Sequence, residues 1–277
     1  TSTGTTTFSS TVNAASILQN STTGTTAING GSITTSSTQE YRNNVTLGAD
    51  TSLSASTVTF KGTVSGAYSL GITGNAVFGD GTADTVTLTG TDKNLSVSGT
   101  TSIYTNTITT SGTQTYTGAV TQNAALTLSA SGITTGSTFG AGANALTMTT
   151  DAIALGGNLS GTSTLVIQPK TASTTIALGT DATGTLKLDD TELGRLADGF
   201  TSITIGSTTG TGAINYATSG SYTFNDPLTI RSATSGGGAI SATTALATGT
   251  NNLTITTGGT VGLAGVTSGA LAVTGNG

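Results

Sequence analysis

The segment KLDDTELGRLADGF (187–200) holds Lys187, Asp189, Asp190, Glu192, Arg195 and Asp198, six of the 19 charged residues in the chain. Two carboxyl groups flanking a glycosidic bond, one protonated and one ionised, are the machinery of glycoside hydrolysis. Acids this close together therefore raise acid–base work on a glycan. The same letters fit a plainer role. Asp189 followed by Glu192 fits a capping box, Leu193 and Leu196 give one apolar face, and Gly199 can stop a helix. The segment reads as a short helical insertion near 189–198, bulging from a corner. Acids adjacent in sequence do not by themselves converge on a substrate, and no catalytic residue is assigned.

Three other stretches carry weaker signals. In GDGTADT (79–85), Asp80 and Asp84 flank a glycine turn and offer oxygen ligands that suit calcium. The repeated nonapeptide of calcium-binding β-rolls is missing, and short acids in a turn ordinarily bind backbone amides. FGAGANA (139–145) resembles the start of a dinucleotide loop, but no helical pattern follows it. Asn20, Asn44, Asn94, Asn158 and Asn252 each begin an Asn-x-Ser/Thr sequon, which matters only in a eukaryotic secretory setting. No cofactor is expected apart from this calcium candidate.

The rest of the chain must be scaffold. Its 277 residues include no Cys, His or Trp and one Met, and 7% are charged, against about 25% in an average soluble domain. Ser/Thr/Gly-rich chains are often disordered linkers. Here 34% of residues are hydrophobic and the net charge is −5, whereas disorder accompanies low hydrophobicity and high charge. The absence of cysteine removes disulfides, thiol catalysis and zinc–thiolate sites together. Mild acidity without a basic patch argues against nucleic acid. No run of about 18 apolar residues could span a membrane, and no signal peptide is evident. The chain begins and ends mid-pattern, so it reads as a piece of something longer.

Apolar pairs two positions apart recur throughout, among them Val58/Phe60, Val86/Leu88, Leu146/Met148, Leu165/Ile167, Ile203/Ile205, Leu228/Ile230, Leu253/Ile255 and Leu271/Val273. Residues i and i+2 share a face of a strand. Each pair is thus a short strand with two side chains inward and β-branched Thr outward. TLT (87–89), TIT (107–109), TLS (127–129) and TMT (147–149) recur at an even spacing. That spacing of about 20 residues is the length of a solenoid coil. In a solenoid no coil can bury its apolar side alone. About 14 coils at about 4.8 Å predict a rod on the order of 65 Å. The TxT rows also raise ice binding, which needs hydroxyls ranked on one flat face. A string of small β-sandwiches is the rival fold.

A longer repeat overlies the coils, at about 24–98 and 99–173. Ile33, Gln39, Tyr41, Val45 and Leu53 match Ile108, Gln114, Tyr116, Val120 and Leu128, all at one common offset. Tyr41 and Tyr116 are expected to stack inside, since a tyrosine buries its ring and keeps a polar handle. TSGSYTFNDPLT (218–229) echoes TSGTQTYTGAVT (110–121) more weakly and at a different offset.

The runs GTTSIYTNTITTSGTQTYTGAVT (99–121) and VTLGADTSLSASTVTFKGTVSGAYSLGITGNAVFG (45–79) resemble the repeats of bacterial filamentous-haemagglutinin-like exoproteins and related giant surface adhesins. TELGRLADGFTSITIGSTTGTGAI (191–214) is similar to a further segment of such proteins. That resemblance implies a right-handed parallel β-helix, export to the cell surface, and a role as stalk or adhesive fibre. The expectation is therefore all-β: one continuous solenoid over 1–277, extracellular and non-enzymatic. Its partners would be cell-surface or matrix components, possible glycans among them, and other copies of itself. A β-helical polysaccharide-active enzyme and an ice-binding solenoid are the alternatives.

Overall fold

The computed structural model describes residues 4–275, in two units that divide between Gly140 and Ala141. Both are built from parallel strands, and neighbours in a sheet come from successive coils of about 20 residues. Thr5 pairs with Thr25, and Thr25 with Asn44. The chain is a β-solenoid.

The first unit has three faces, visited in turn by each coil. The first face carries Thr5–Phe8, Thr25–Ile28, Asn44–Leu47, Val64–Gly66, Thr85–Leu88, Thr107–Thr110 and Leu126–Ser129 in that order. The second carries Ser32–Thr35, Leu95–Val97, Thr113–Tyr116 and Gly132–Thr135, and the third Thr38–Tyr41, Thr101–Ile103 and Val120–Gln122. Thr51–Phe60 and Leu70–Phe78 run through both of the latter faces, with a register slip between Thr73 and Asn75. Gly74 sits at that slip with φ of 121°, where a Cβ would lie 1.8 Å from Ala55 O. Only glycine fits there.

Alternation decides what goes inside. Val45, Val64, Val86, Ile108 and Leu128 form one inward file of the first face, each 1% exposed or less. Tyr41, Phe60 and Phe78 stack along the third face, at 5.4 and 5.8 Å between ring centroids. Corners are tied by asparagine. Asn44 Oδ1 accepts from Thr63 N at 3.0 Å, Asn75 Oδ1 from Thr100 N at 2.9 Å, and Asn94 Oδ1 from Thr113 N at 2.7 Å. Each bond joins one coil to the next.

In the second unit the pairs Leu146/Met148, Leu165/Ile167, Ile203/Ile205, Leu228/Ile230 and Leu253/Ile255 stack in register and are buried. Leu271 and Val273 continue the register but are 47% exposed each, with a paired strand on one side only among the described residues. Leu165 pairs with Ile203, so this coil takes nearly twice the usual length. The surplus makes a small extra turn, in which Ile176 pairs with Leu186, and the helix Asp190–Leu193.

That helix is shorter than the expected span of 189–198. It ends at Gly194, because Arg195–Ala197 joins a strand instead: Leu159 N donates to Arg195 O at 2.8 Å and Ala197 N to Leu159 O at 3.0 Å. Leu193 and Leu196 are both buried.

Candidate functional site

Asp189 and Glu192 form the capping box. Asp189 Oδ1 accepts from Glu192 N at 2.8 Å, and Asp189 N donates to Glu192 Oε2 at 3.1 Å. The other Glu192 oxygen takes Leu155 N at 2.9 Å. Asp190 binds in three directions: Oδ1 accepts from Thr180 N at 2.8 Å, and Oδ2 from Ser219 N at 2.9 Å and Ser219 Oγ at 2.5 Å. The Ser219 hydroxyl and these amides hold the Asp190 carboxyl below the usual carboxylate range. Lys187 Nζ donates to Thr180 O at 2.7 Å. The short helix expected here therefore forms, with Asp189 used inside its own cap while Asp190 and Glu192 fasten it to Thr180, Ser219 and Leu155.

The partners of these acids carry no local signal in the sequence. Ser219 lies 29 residues from Asp190, and Tyr222, whose hydroxyl donates to Leu193 O at 2.6 Å, is equally far from its acceptor. Asp226 belongs to the same group and is equally silent in sequence. It is 4% exposed and accepts from Gly199 N at 3.0 Å. Burial pushes its carboxyl up, and the neighbouring Asp198 charge adds to this. Tyr222 falls where the echo at 218–229 places Gln114, but it makes none of the contacts that Gln114 makes.

Those contacts explain the long repeat. Gln39 Nε2 donates to Ile33 O at 3.1 Å and to Ser54 O of the next coil at 3.0 Å, and Tyr41 Oη donates to Gln39 Oε1 at 3.0 Å. Gln114 Nε2 donates to Ile108 O and Ser129 O, both at 3.0 Å, and Tyr116 Oη to Gln114 Oε1 at 3.0 Å. All four side chains are 0% exposed. Burial raises both tyrosine pKa values beyond the ordinary range.

The two copies do not stack. Ile33 and Leu53 lie on the second face, Gln39 and Tyr41 on the third, and Val45 on the first. Ile108 and Leu128 lie on the first face, Gln114 and Tyr116 on the second, and Val120 on the third. The repeat thus falls one face short of whole coils, and the same corner clamp serves on two different faces.

The remaining candidates are modest. Asp80 N donates to Asp84 Oδ2 at 3.2 Å, a closed turn. Among the described residues no group of three or more acids could hold a metal ion. FGAGANA leads into the strand Leu146–Thr149 rather than a helix. The sequon residues Asn44 and Asn94 are the corner ties described above. A groove of about 160 Å³ is lined by Lys61, Gly79, Asp80 and the exposed Tyr104, among others. No helix of the described residues is long and apolar enough to cross a membrane. No family model, curated protein or solved structure matches this chain.

Proposed function

We propose that this chain is a non-catalytic spacer segment of a bacterial cell-surface fibre or adhesin. The carrying observation is the buried Gln–Tyr clamp, formed twice with the same spacing of acceptors on different faces. Polar side chains that other folds spend on ligands here tie coil to coil. The insertion's carboxylates are occupied in the same way, which disfavours the polysaccharide-active alternative. The resemblance of 45–79 and 99–121 to filamentous-haemagglutinin-like repeats supports export. Stacked backbone bonds in a chain without cysteine suit a rigid element outside the cell. Immunogold labelling of intact producing cells, with antibody raised against residues 4–275, tests the reading. Label outside the envelope is expected, and label confined to the cytoplasm contradicts it.

One observation favours ice binding as a second reading. Thr46, Ser65, Thr87, Thr109 and Ser129 stand in register on the first face, alternating with buried neighbours, and Thr85, Thr107 and Thr127 form a parallel rank. The triplets TLT (87–89) and TIT (107–109) therefore do not stack letter for letter, since Leu88 meets Thr110 rather than Ile108, and the rank runs instead through Thr87 and Thr109 and on to Ser65 and Thr46. Thermal hysteresis abolished by Thr87→Lys and Thr109→Lys supports this reading, and its absence in the parent chain removes it.

A further inference from the structure

We infer that a cleft in the second unit, between the segment 218–223 and the next coil at 244–247, binds a neutral saccharide. This goes beyond the spacer reading and does not depend on it. The cleft has a local cause. Neighbouring coils are bonded at both of its ends: Thr218 N donates to Thr244 Oγ1 at 3.2 Å, and Phe224 N to Ala247 O at 2.9 Å. Between those points the chain is drawn the other way. Ser219 gives both its N–H and its hydroxyl to Asp190 of the insertion, and the Tyr222 hydroxyl reaches Leu193 O. The helical insertion thus holds Ser219–Tyr222 away from the following coil. The space left is about 450 Å³, within the range of about 300–1,000 Å³ typical of small-molecule sites.

The lining selects the ligand class. It contains no acidic or basic residue. The hydroxyls of Ser221, Thr223 and Thr267 are exposed and make no hydrogen bond among the described residues, and neither do the N–H groups of Gly220 and Ser221. Hydroxyls both donate and accept, which matches the mixed donors and acceptors of a sugar. Tyr222 supplies an aromatic surface, fixed edge-on against Phe224 at 4.9 Å, and Ala245 and Ala247 supply small apolar walls. An anionic ligand would find no cation here, and the Asp190 carboxylate stands behind Ser219. A neutral polyhydroxylated chain fits this wall.

The test is an NMR titration of the isotope-labelled chain with cellotetraose, maltotetraose and chitotetraose, with a heparin tetrasaccharide as the anionic comparison. At least one neutral sugar is expected to give saturable shifts at 218–223, 244–247 and 267, with affinity in the millimolar range. Ser221→Trp fills the cleft from an exposed position without a hydrogen bond, so it is expected to weaken that affinity by about tenfold or more while the thermal midpoint stays at the parent value. Ser221→Ala removes only one hydroxyl of the wall, so it is expected to melt as the parent does and to weaken binding less than Ser221→Trp. The inference fails if no neutral sugar shifts these residues, if Ser221→Trp binds as the parent does, or if the sulfated sugar binds tighter. None of these results touches the cell-surface reading, which immunogold labelling judges separately.

Discussion

Replacing Gln114 by leucine tests the clamp. The side chain is fully buried, and its amide donates to two carbonyls while its oxygen accepts from Tyr116. Leucine keeps the volume and removes all three bonds. A buried hydroxyl left unpaired costs ~1–3 kcal/mol, and each lost bond to a carbonyl about 1 kcal/mol more. The added apolar burial offsets this by about 1 kcal/mol. The net loss is about 3 kcal/mol, large against the ~5–15 kcal/mol that hold a typical domain. Solenoids open locally, so the readouts are urea unfolding and hydrogen exchange of peptides covering 108–116 and 129–135. Adding Tyr116→Phe deletes the stranded hydroxyl, and the double variant is expected to regain about 1–2 kcal/mol over Gln114→Leu alone. Gln39→Leu with Tyr41→Phe is expected to behave in the same way. If Gln114→Leu were neutral, or Tyr116→Phe gave no recovery, the glutamine would be filler and the long repeat would need another cause.

Gly74→Ala places a Cβ against Ala55 O at an unfavourable φ and is expected to lower stability by at least about 2 kcal/mol, while Gly81→Ala, which meets nothing within 4 Å, stays within about 0.5 kcal/mol by thermal melting. Asp226 has a raised folded pKa, so its stabilising share is present below the unfolded value near 3.8 and is lost as pH rises through the folded value. Asp226→Asn is then expected to melt higher than the parent at neutral pH, with the gap closing in acid. Asp190 has a lowered folded pKa, so its share is present above the unfolded value and lost as pH falls through the folded one. The protection of amides 190–193 against exchange, taken relative to the intrinsic rate at each pH, is expected to fall in acid, and to fall less in Asp190→Asn.

Much of the fold is legible in the spacing of apolar pairs. Leu165/Ile167 and Ile203/Ile205 point inward because alternation leaves no other choice, and the coil length follows from how often such pairs return. The capping box of Asp189 and Glu192 is likewise local, and both of its bonds form. What the letters do not carry is how coils are phased. Nothing in ITTSSTQEY and ITTSGTQTY says that the first Gln–Tyr pair lies on the third face and the second pair on the second face; that depends on the summed length of every corner between them. The helix stops early because Arg195–Ala197 pairs with Leu159, a contact between segments far apart in the chain. Ser219 and Tyr222 are invisible for the same reason: their partners are a coil away, and the cleft they open is made by a pull from the insertion rather than by any motif.

The stacking of coils in register is tested most directly by dipolar electron paramagnetic resonance of nitroxide labels on the first-face rank, continuous-wave for the near pairs and pulsed for the far ones, using cysteines introduced at Thr46, Ser65, Thr87, Thr109 and Ser129. The chain has no native cysteine to interfere. With the Thr46 label fixed, the account predicts backbone separations that grow by about 4.8 Å per coil, reaching on the order of 19 Å at Ser129. Separations that did not climb evenly along that series, as antiparallel hairpins in separate beads would give, contradict it.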